Sequence, residues 1–597
     1  MSNATKRAYL KVLQGGGGGT FIKHIKMCRA ALAALVAVIL TSQSLAADIF
    51  VSPTGNGEKT GANWSNALNG SNDGWHIDVK NAITTAVDGG AEEVNVYLAA
   101  GDYTVTNQLV LSSITVPLKF SGGYVGAADG SMEKSTELKT TLKRNTSYYS
   151  RFLHASSLID FSIEEVSFNG GYLRDNGGAL YLYSTFATII NCVFTGNTLG
   201  KGSGNNYFGV KGAGVYSQNG TVQFKNCQFL SNSIAGGYNM QYGAGLYTLN
   251  TDVTIDGCVF NGNNCYAMQA GGFGGAANIN GKNVIIKNTR FENNRTRSTS
   301  NTGTGKPTGG AIAIRSATRV EITDCEFMNN FTQVNNKTKT SRANAAYYFD
   351  DFNKSDGVMT AAVTRCVFDS TLVTQSTFSM SDILLNYGHL YMTNCVIMGA
   401  KGSHANMAYS IRAEKVTPVA TDPVSGKDAA QISDCSLNLV NCTVADGVEY
   451  GVGAIGDGVT VDLKNCIVSG HSLTGVVNAA SIEHSYIQTN DDGTWNYEGE
   501  GNLNPNVLGD INWTGAPYYH LLTKKSDGAI TNGWFSGTFE SAKTAADSPC
   551  IDAGAPGSLG LDLEPYYSGR RVNIGAYGGT PWASKTSPLP GFKLIIR

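Results

Sequence analysis

The residues of this chain best suited to chemistry are carboxylates set close together beside a basic or aromatic side chain. Asp350 and Asp351 adjoin in AAYYFDDFNKSDG, with Tyr347 and Tyr348 upstream and Lys354 and Asp356 downstream. Two carboxylates at suitable separation do the acid and base work of glycoside hydrolysis. A lysine takes up a proton in an elimination, and tyrosine rings stack on apolar faces. An exposed loop on the longest interval of the chain's repeat explains the same residues without catalysis. Asp491 and Asp492 adjoin in TNDDGTWNYEGEG, with Glu498 and Glu500 nearby. These are oxygen ligands of the kind calcium takes, although their spacing matches no calcium loop and a solvated turn accounts for them equally. The eight histidines are scattered and no Cys-x-x-Cys occurs, so a zinc-type centre is not expected and no cofactor is required.

The elements that must position such residues are set by an internal repeat. A block opening on two small residues recurs as GGALYLY at Gly177, GAGVYSQ at Gly212, GAGLYTL at Gly243, GGAANIN at Gly274 and GGAIAIR at Gly309. A second block follows as NCVFTGN, NCQFLSN, GCVFNGN, NTRFENN and DCEFMNN. Its cysteine slot holds Cys192, Cys227, Cys258, Thr289 and Cys325, in steps of 35, 31, 31 and 36 residues.

Parity within the repeat gives its geometry. Apolar residues stand five and three before the slot (Val222 and Phe224 before Cys227) and again two after it (Phe229). The face therefore changes parity once, at Asn191, Asn226, Gly257, Asn288 or Asp324, residue types that tolerate a left-handed backbone. A strand that turns a corner through one such residue and keeps facing the same core is one coil of a right-handed parallel β-helix. Val166, Cys366, Cys395, Cys442, Cys466 and Ser485 continue the frame to eleven rungs, roughly 50 Å of stack at about 4.8 Å per strand. The slot is an inward column of buried thiols acting as small apolar residues rather than disulfides. The asparagines three after each phenylalanine (Asn197, Asn232, Asn263, Asn294, Asn330) form an amide ladder along the axis. Open ends need covering: residues 77–87 carry Ile77, Ala82, Ile83, Ala86 and Val87 at helical spacing for an N-terminal capping helix, and the region after about residue 490 forms an irregular C-terminal cap.

Residues 1–46 are set apart. They hold six basic side chains and no acidic one, and without them the formal charge falls from −2 to −8. Lys23 to Arg29, the apolar run Ala30 to Leu40 and the small-residue exit Ser44-Leu45-Ala46 follow one another as in an export signal, with Met1 or Met27 as the start. The expected organisation is leader and signal peptide 1–46, N-terminal cap and first coils 47–130, helical repeats 131–490, and C-terminal coils and cap 491–597. An acidic body argues against a nucleic-acid partner, and nothing after the signal is long and apolar enough to span a bilayer.

The paired motifs resemble the repeats of polymorphic outer-membrane proteins, and the wider pattern resembles secreted bacterial β-helix proteins of the pectin-lyase-like fold. FVSPTGNG (50–57), VYLAAGDYTV (96–105), SPCIDAG (548–554) and NIGAYGG (573–579) are similar to their opening and closing segments. Polymorphic outer-membrane proteins end in a translocating barrel; this chain ends in PLPGFKLIIR soon after the cap, leaving the route to the surface open. The fold hosts lyases, hydrolases, adhesins and fibres. A complete set of the hydrolase tripeptides Asn-Thr-Asp, Gly-His-Gly and Arg-Ile-Lys is not present.

The inserts between Phe-x-x-Asn and the next glycine block fall at one corner of successive coils. They bring Tyr207, Phe208, Tyr238, Tyr242, Tyr266, Phe273, Arg295, Arg297 and Lys306 to one edge. Aromatic rings among Asn, Ser and Gly suit sugar faces, while mutual packing of those rings would only hold the loops together. The expected function is a secreted, periplasmic or cell-surface protein that binds a polysaccharide or a host-surface glycan through this edge, adhesin-like, with no catalysis demonstrable from the sequence. A polysaccharide lyase or glycosidase acting on an acidic polymer, and a passive spacer, are the alternatives.

Overall fold

The computed structural model describes residues 46–585 apart from 72, 128, 138, 201–208, 238–239, 269–270, 299–306, 335–342, 350–357, 374–380, 401–407, 416–434, 515–518, 524–527, 532–537, 542–545 and 566–570. The chain is a right-handed parallel β-helix. One coil runs through Leu180–Tyr183, Phe186–Ile190, Val193–Thr195 and Thr198–Leu199. Stacked coils generate three long parallel faces of 12, 15 and 13 strands, plus a six-stranded fourth face limited to the coils with inserts. The thirteen strands of the slot-bearing face exceed the eleven expected, because Gly101–Val105 and Thr140–Arg144 extend the column two rungs toward the N-terminus.

The predicted corners hold. Asn191, Asn226, Gly257, Asn288 and Asp324 have φ of 52°, 51°, 65°, 50° and 54°, and Arg365, Asn394, Asn441 and Asn465 repeat the turn further on. Behind each corner one phenylalanine faces the core. Phe194, Phe229, Phe260, Phe291 and Phe327 stack in register, with successive centroids 4.9, 4.3, 4.9 and 4.9 Å apart. The amide ladder is present. Asn197 Nδ2 donates to Asn232 Oδ1 at 2.9 Å, and the pattern runs unbroken through Asn263 and Asn294 to Asn330.

The cysteine column is made of free, buried thiols, and they do more than fill space. Slot thiols donate toward a carbonyl of the preceding coil, as Cys227 does to Ile189 at 3.3 Å and Cys466 to Leu439 at 3.4 Å, while Cys258 donates to the Asp256 carbonyl of its own coil. Burial pushes the Cys192 thiol up to about 12.

The capping helix spans Trp75–Asp88 and buries Trp75, Val79 and Ile83. These lie at i, i+4 and i+8, so Ile77, expected on the apolar face, falls on the opposite side and is exposed. The C-terminal region differs more from expectation. Instead of only closing the end, it returns along the outside of the slot-bearing face, where Tyr519, Ala576 and Tyr577 cover Val367, Val396, Met398 and Ala445. Among the described residues no helix is long and apolar enough to cross a membrane.

Candidate functional site

Each glycine block is forced by its corner. Gly177 has φ 73°, and a Cβ there would stand 2.6 Å from the Leu180 carbonyl oxygen. In the strand that follows, Leu180 and Leu182 point to the core, so Tyr181 between them points outward. The fifth residue of the block is tyrosine in three successive coils, and the register sets Tyr181, Tyr216 and Tyr247 side by side, with His154 one coil before.

The result is a stripe of rings parallel to the helix axis. Centroids are 4.6 Å apart for His154 and Tyr181, 4.8 Å for Tyr181 and Tyr216, and 5.4 Å for Tyr216 and Tyr247, the tyrosines being stacked. Tyr242 meets Tyr247 at 5.8 Å and stacks on Phe273 at 5.3 Å. Tyr216 and Tyr247 are buried, whereas His154, Tyr181, Tyr242 and Phe273 are half-exposed. Apart from the stripe, Tyr149, 64% exposed, lies against Tyr172 of the fourth face at 5.3 Å.

Cations line the stripe. Arg174 stands over Tyr149, Arg144 over Tyr172, Arg151 over Tyr181 and Lys211 over Tyr247, at 5.1, 5.5, 4.9 and 5.2 Å from the ring centres. Arg315 lies 5.7 Å from Tyr242. Asp175 is paired with Arg151 at 3.2 Å. Burial lowers the Arg151 guanidinium, with Asp175 opposing the shift. Burial and the neighbouring Arg151 charge also lower His154, which favours its neutral imidazole. On a chain body of net negative charge this concentration of cations is a local inversion.

The residues expected at the loop edge fall into separate groups. Tyr242 and Phe273 join the stripe. Tyr266 and Arg297 stand in register on the fourth face, 5.4 Å apart, with Arg295 beside them donating to Asn264 at 2.9 Å. Tyr207, Phe208, Tyr238 and Lys306 lie outside the described residues, as do Asp350, Asp351, Lys354 and Asp356. Tyr347 and Tyr348 are buried, and Tyr348 shares the inward column of Ile314 and Leu385, so neither is a stacking platform beside those carboxylates.

Asp491, Asp492 and Glu498 are not brought together as a ligand cluster. Asp492 Oδ1 closes its own turn by accepting from the Thr494 N–H and hydroxyl at 2.9 and 2.6 Å, and among the described residues no three His, Cys, Asp or Glu converge. Asn250-Thr251-Asp252 is an Asn-Thr-Asp tripeptide, but Asp252 accepts from the Asn283 backbone and amide of the next coil, both at 3.0 Å, and pairs in register with Thr221 of the coil before. It ties coils together. Arg571 donates to the Ala553 and Gly554 carbonyls and holds the C-terminal segment together.

Sequence reasoning missed Tyr149, Arg151, His154, Tyr172, Arg174, Asp175 and the tyrosine column. The signal for the column was present, as tyrosine at the fifth position of consecutive blocks.

No protein-family model matches the chain, and no curated protein matches it. Two solved structures are similar. ORF18 of Geobacillus virus E2 is 12% identical over 75% of this chain and 62% of its own, with a TM-score of 0.27. The Dettilon tailspike protein (gp208) is 13% identical over 72% of this chain and 68% of its own, with a TM-score of 0.28. The chain thus spans less than two thirds of the ORF18 chain. At this distance the fold rests on the strand register above, not on the likeness.

Proposed function

We propose that this protein binds an extended glycan along the ring stripe and works outside the cytoplasm, at a cell surface or as a secreted protein. The observation that carries the reading is the exposed ring of Tyr149 against Tyr172, with Arg174 beside it, on the same part of the coil stack as the axial row of rings. An aromatic face with a polar rim is the surface that accepts the C–H face of a pyranose. Coils rise by about 4.8 Å, close to the length of one sugar unit. The stripe leaves His154, Tyr181, Tyr242 and Phe273 half-buried while Tyr216 and Tyr247 are buried, so a linear polymer parallel to the axis meets accessible rings at some coils and not at others. The basic, apolar and small-residue succession across residues 23–46 supports export.

The test is a glycan array and affinity electrophoresis with residues 47–597. Tyr149→Ala with Tyr172→Ala should weaken retention of a bound glycan about thirty-fold, while Tyr391→Ala, a ring 45% exposed on another face, should leave it intact. Equal loss in both, or no glycan retained by the wild type, overturns the reading.

A further inference from the structure

The first strand of the stack has an open edge. Along Ala46–Ser52 the backbone groups point alternately to the next strand, Glu93–Ala99, and away from it. Phe50 N–H points away and donates to the Gly61 carbonyl at 2.9 Å, and the Ser52 carbonyl accepts from Gly70 at 2.9 Å. The short strand Leu68–Asn69 pairs only with Val51 and Ser52. The same alternation turns the N–H and C=O of Asp48 outward, and among the described residues no strand covers them. An uncovered edge is a template for another chain.

A groove of about 510 Å³ follows this edge. Its apolar lining comes from Ala47, Ile49 and Leu68, and from Ala82 and Ala86 of the capping helix. Of the charged residues that line it, Asp48 and Asp78 are acidic and Lys59 is basic. One extended strand fits such a slot if apolar side chains alternate with cations. Residues 592–597, outside the described part of the chain, read Phe-Lys-Leu-Ile-Ile-Arg, with Phe592, Leu594 and Ile596 at one parity and Lys593 and Arg597 at the other. They cannot reach the groove of their own chain. Ser584 donates to the Leu521 carbonyl, and Leu521 packs on Ile467 in the twelfth of the thirteen slot-face strands. The groove lies one rung before the first of those strands. Twelve rungs at about 4.8 Å make roughly 58 Å. The stretch from Ser584 to Phe592 spans at most about 29 Å.

We propose that the groove takes residues 592–597 of a second copy of this chain as an added strand, joining copies head to tail. The open N–H and C=O of Asp48 pair with the incoming backbone, which supplies affinity, and the alternate side chains supply specificity. Phe592, Leu594 and Ile596 enter the apolar slot, and Lys593 lies beside Asp48 across the new strand pair. The two surfaces differ, so the contact is heterologous and builds an open fibre, not a closed dimer. This proposal is independent of the glycan reading.

The experiment follows residues 47–597 by sedimentation velocity over a range of concentrations, beside the same protein lacking 592–597. The mean mass should rise with concentration in the first and stay that of a monomer in the second. A fluorescent peptide of residues 588–597 should bind the shortened protein in an anisotropy titration. Ala86→Arg, with wild-type melting verified, should abolish that binding by filling the slot. Asp48→Lys, at an exposed position, should weaken the peptide several-fold, and a peptide carrying Lys593→Glu should recover the loss on that variant. A monomer at every concentration that also ignores the peptide overturns the proposal. An oligomer that survives removal of 592–597 overturns it too, because the copies then meet elsewhere. Peptide binding that neither Ala86→Arg nor Asp48→Lys alters removes the groove as its site.

Discussion

Asn394 Nδ2 donates to the Gly578 carbonyl at 2.8 Å, across 184 residues of sequence, and to the Ala576 carbonyl at 2.9 Å. The same Asn394 takes φ 53° at the corner of its coil. One residue therefore serves two purposes, the turn through its backbone and the docking of the C-terminal segment through its amide. Asn441 and Asn465 repeat the arrangement, on Gly578 and on the Ala555 N–H. Asn394→Gly separates the two roles, since glycine keeps the left-handed corner and deletes the amide. It should cost about 2 kcal/mol, because two buried carbonyls lose a donor, and speed proteolysis within 546–585. An unchanged denaturation midpoint and cleavage pattern would show that the segment is held elsewhere.

Asn263 is the test of the amide ladder. Its Nδ2 donates to Asn294 Oδ1 at 2.9 Å and to the Phe229 carbonyl at 2.8 Å, and its Oδ1 accepts from Asn232. Asn263→Ala leaves partners unmatched on both neighbouring coils and should destabilise by about 3 kcal/mol or more. Because each coil contacts only its neighbours, loss of amide hydrogen-exchange protection should centre on residues 229–294. Uniform loss along the chain would argue against a ladder.

These predictions rest on parts of the fold that were legible in the sequence, for a physical reason. A core on one side of a strand imposes period two, and a corner that only Asn, Asp or Gly takes cheaply marks where the parity changes. The return of the C-terminal segment has no such local period. Its trace is a change in outward residues of the slot-bearing face, from Gln228, Arg290 and Glu326 to Val367, Val396 and Ile467, where a covering layer removes water. The candidate site divides the same way. Tyr181, Tyr216 and Tyr247 were readable as a column, whereas the Arg151–Asp175 pair forms only when a coil closes, and it lies before the regular repeats begin.

Buried thiols set an alkaline limit. Burial raises Cys192 of the column to about 12 and, outside the column, Cys265 to about 12 and Cys435 to about 11, above the ordinary thiol value of about 8.5. A raised acid favours the folded state fully below the unfolded value, and the advantage is lost as pH rises from there through the folded value. Stability should therefore fall steeply between about pH 8.5 and 12. At pH 8 the slot cysteines should resist a thiol reagent until denaturant is added. Three or more disulfides in the non-reduced protein would contradict the column.

His520 should make docking of the C-terminal segment acid-sensitive. Its Nε2–H donates to the Trp582 carbonyl at 2.8 Å, and burial lowers its pKa to about 4. From an unfolded value of about 6.5 down to that folded value, the unfolded chain binds the proton and the folded chain does not. Stability is complete above the window and declines as pH falls through it. His471, also buried and lowered to about 4, adds to the same slope. His520→Gln should flatten the dependence of melting temperature on pH between 6.5 and 4. An equally steep slope in the variant would remove His520 from the account.

The Tyr149 cluster and the Tyr242 end of the ring stripe make different predictions for binding. Tyr149 is 64% exposed beside half-buried Tyr172, while Tyr242 and Phe273 are both half-buried and stacked on each other. A ring contributes to a sugar only the surface it leaves to solvent. If each stacked ring is worth about 1 kcal/mol, Tyr149→Ala with Tyr172→Ala should weaken binding about thirty-fold. Tyr242→Ala with Phe273→Ala should weaken it far less and lower the melting temperature instead, because it empties the contact with Tyr247. Calorimetric titration and thermal melting of both pairs, side by side, decide the matter. The reverse result, with affinity lost only in the Tyr242 pair, would move the ligand to the insert edge and make the Tyr149 cluster a surface ornament.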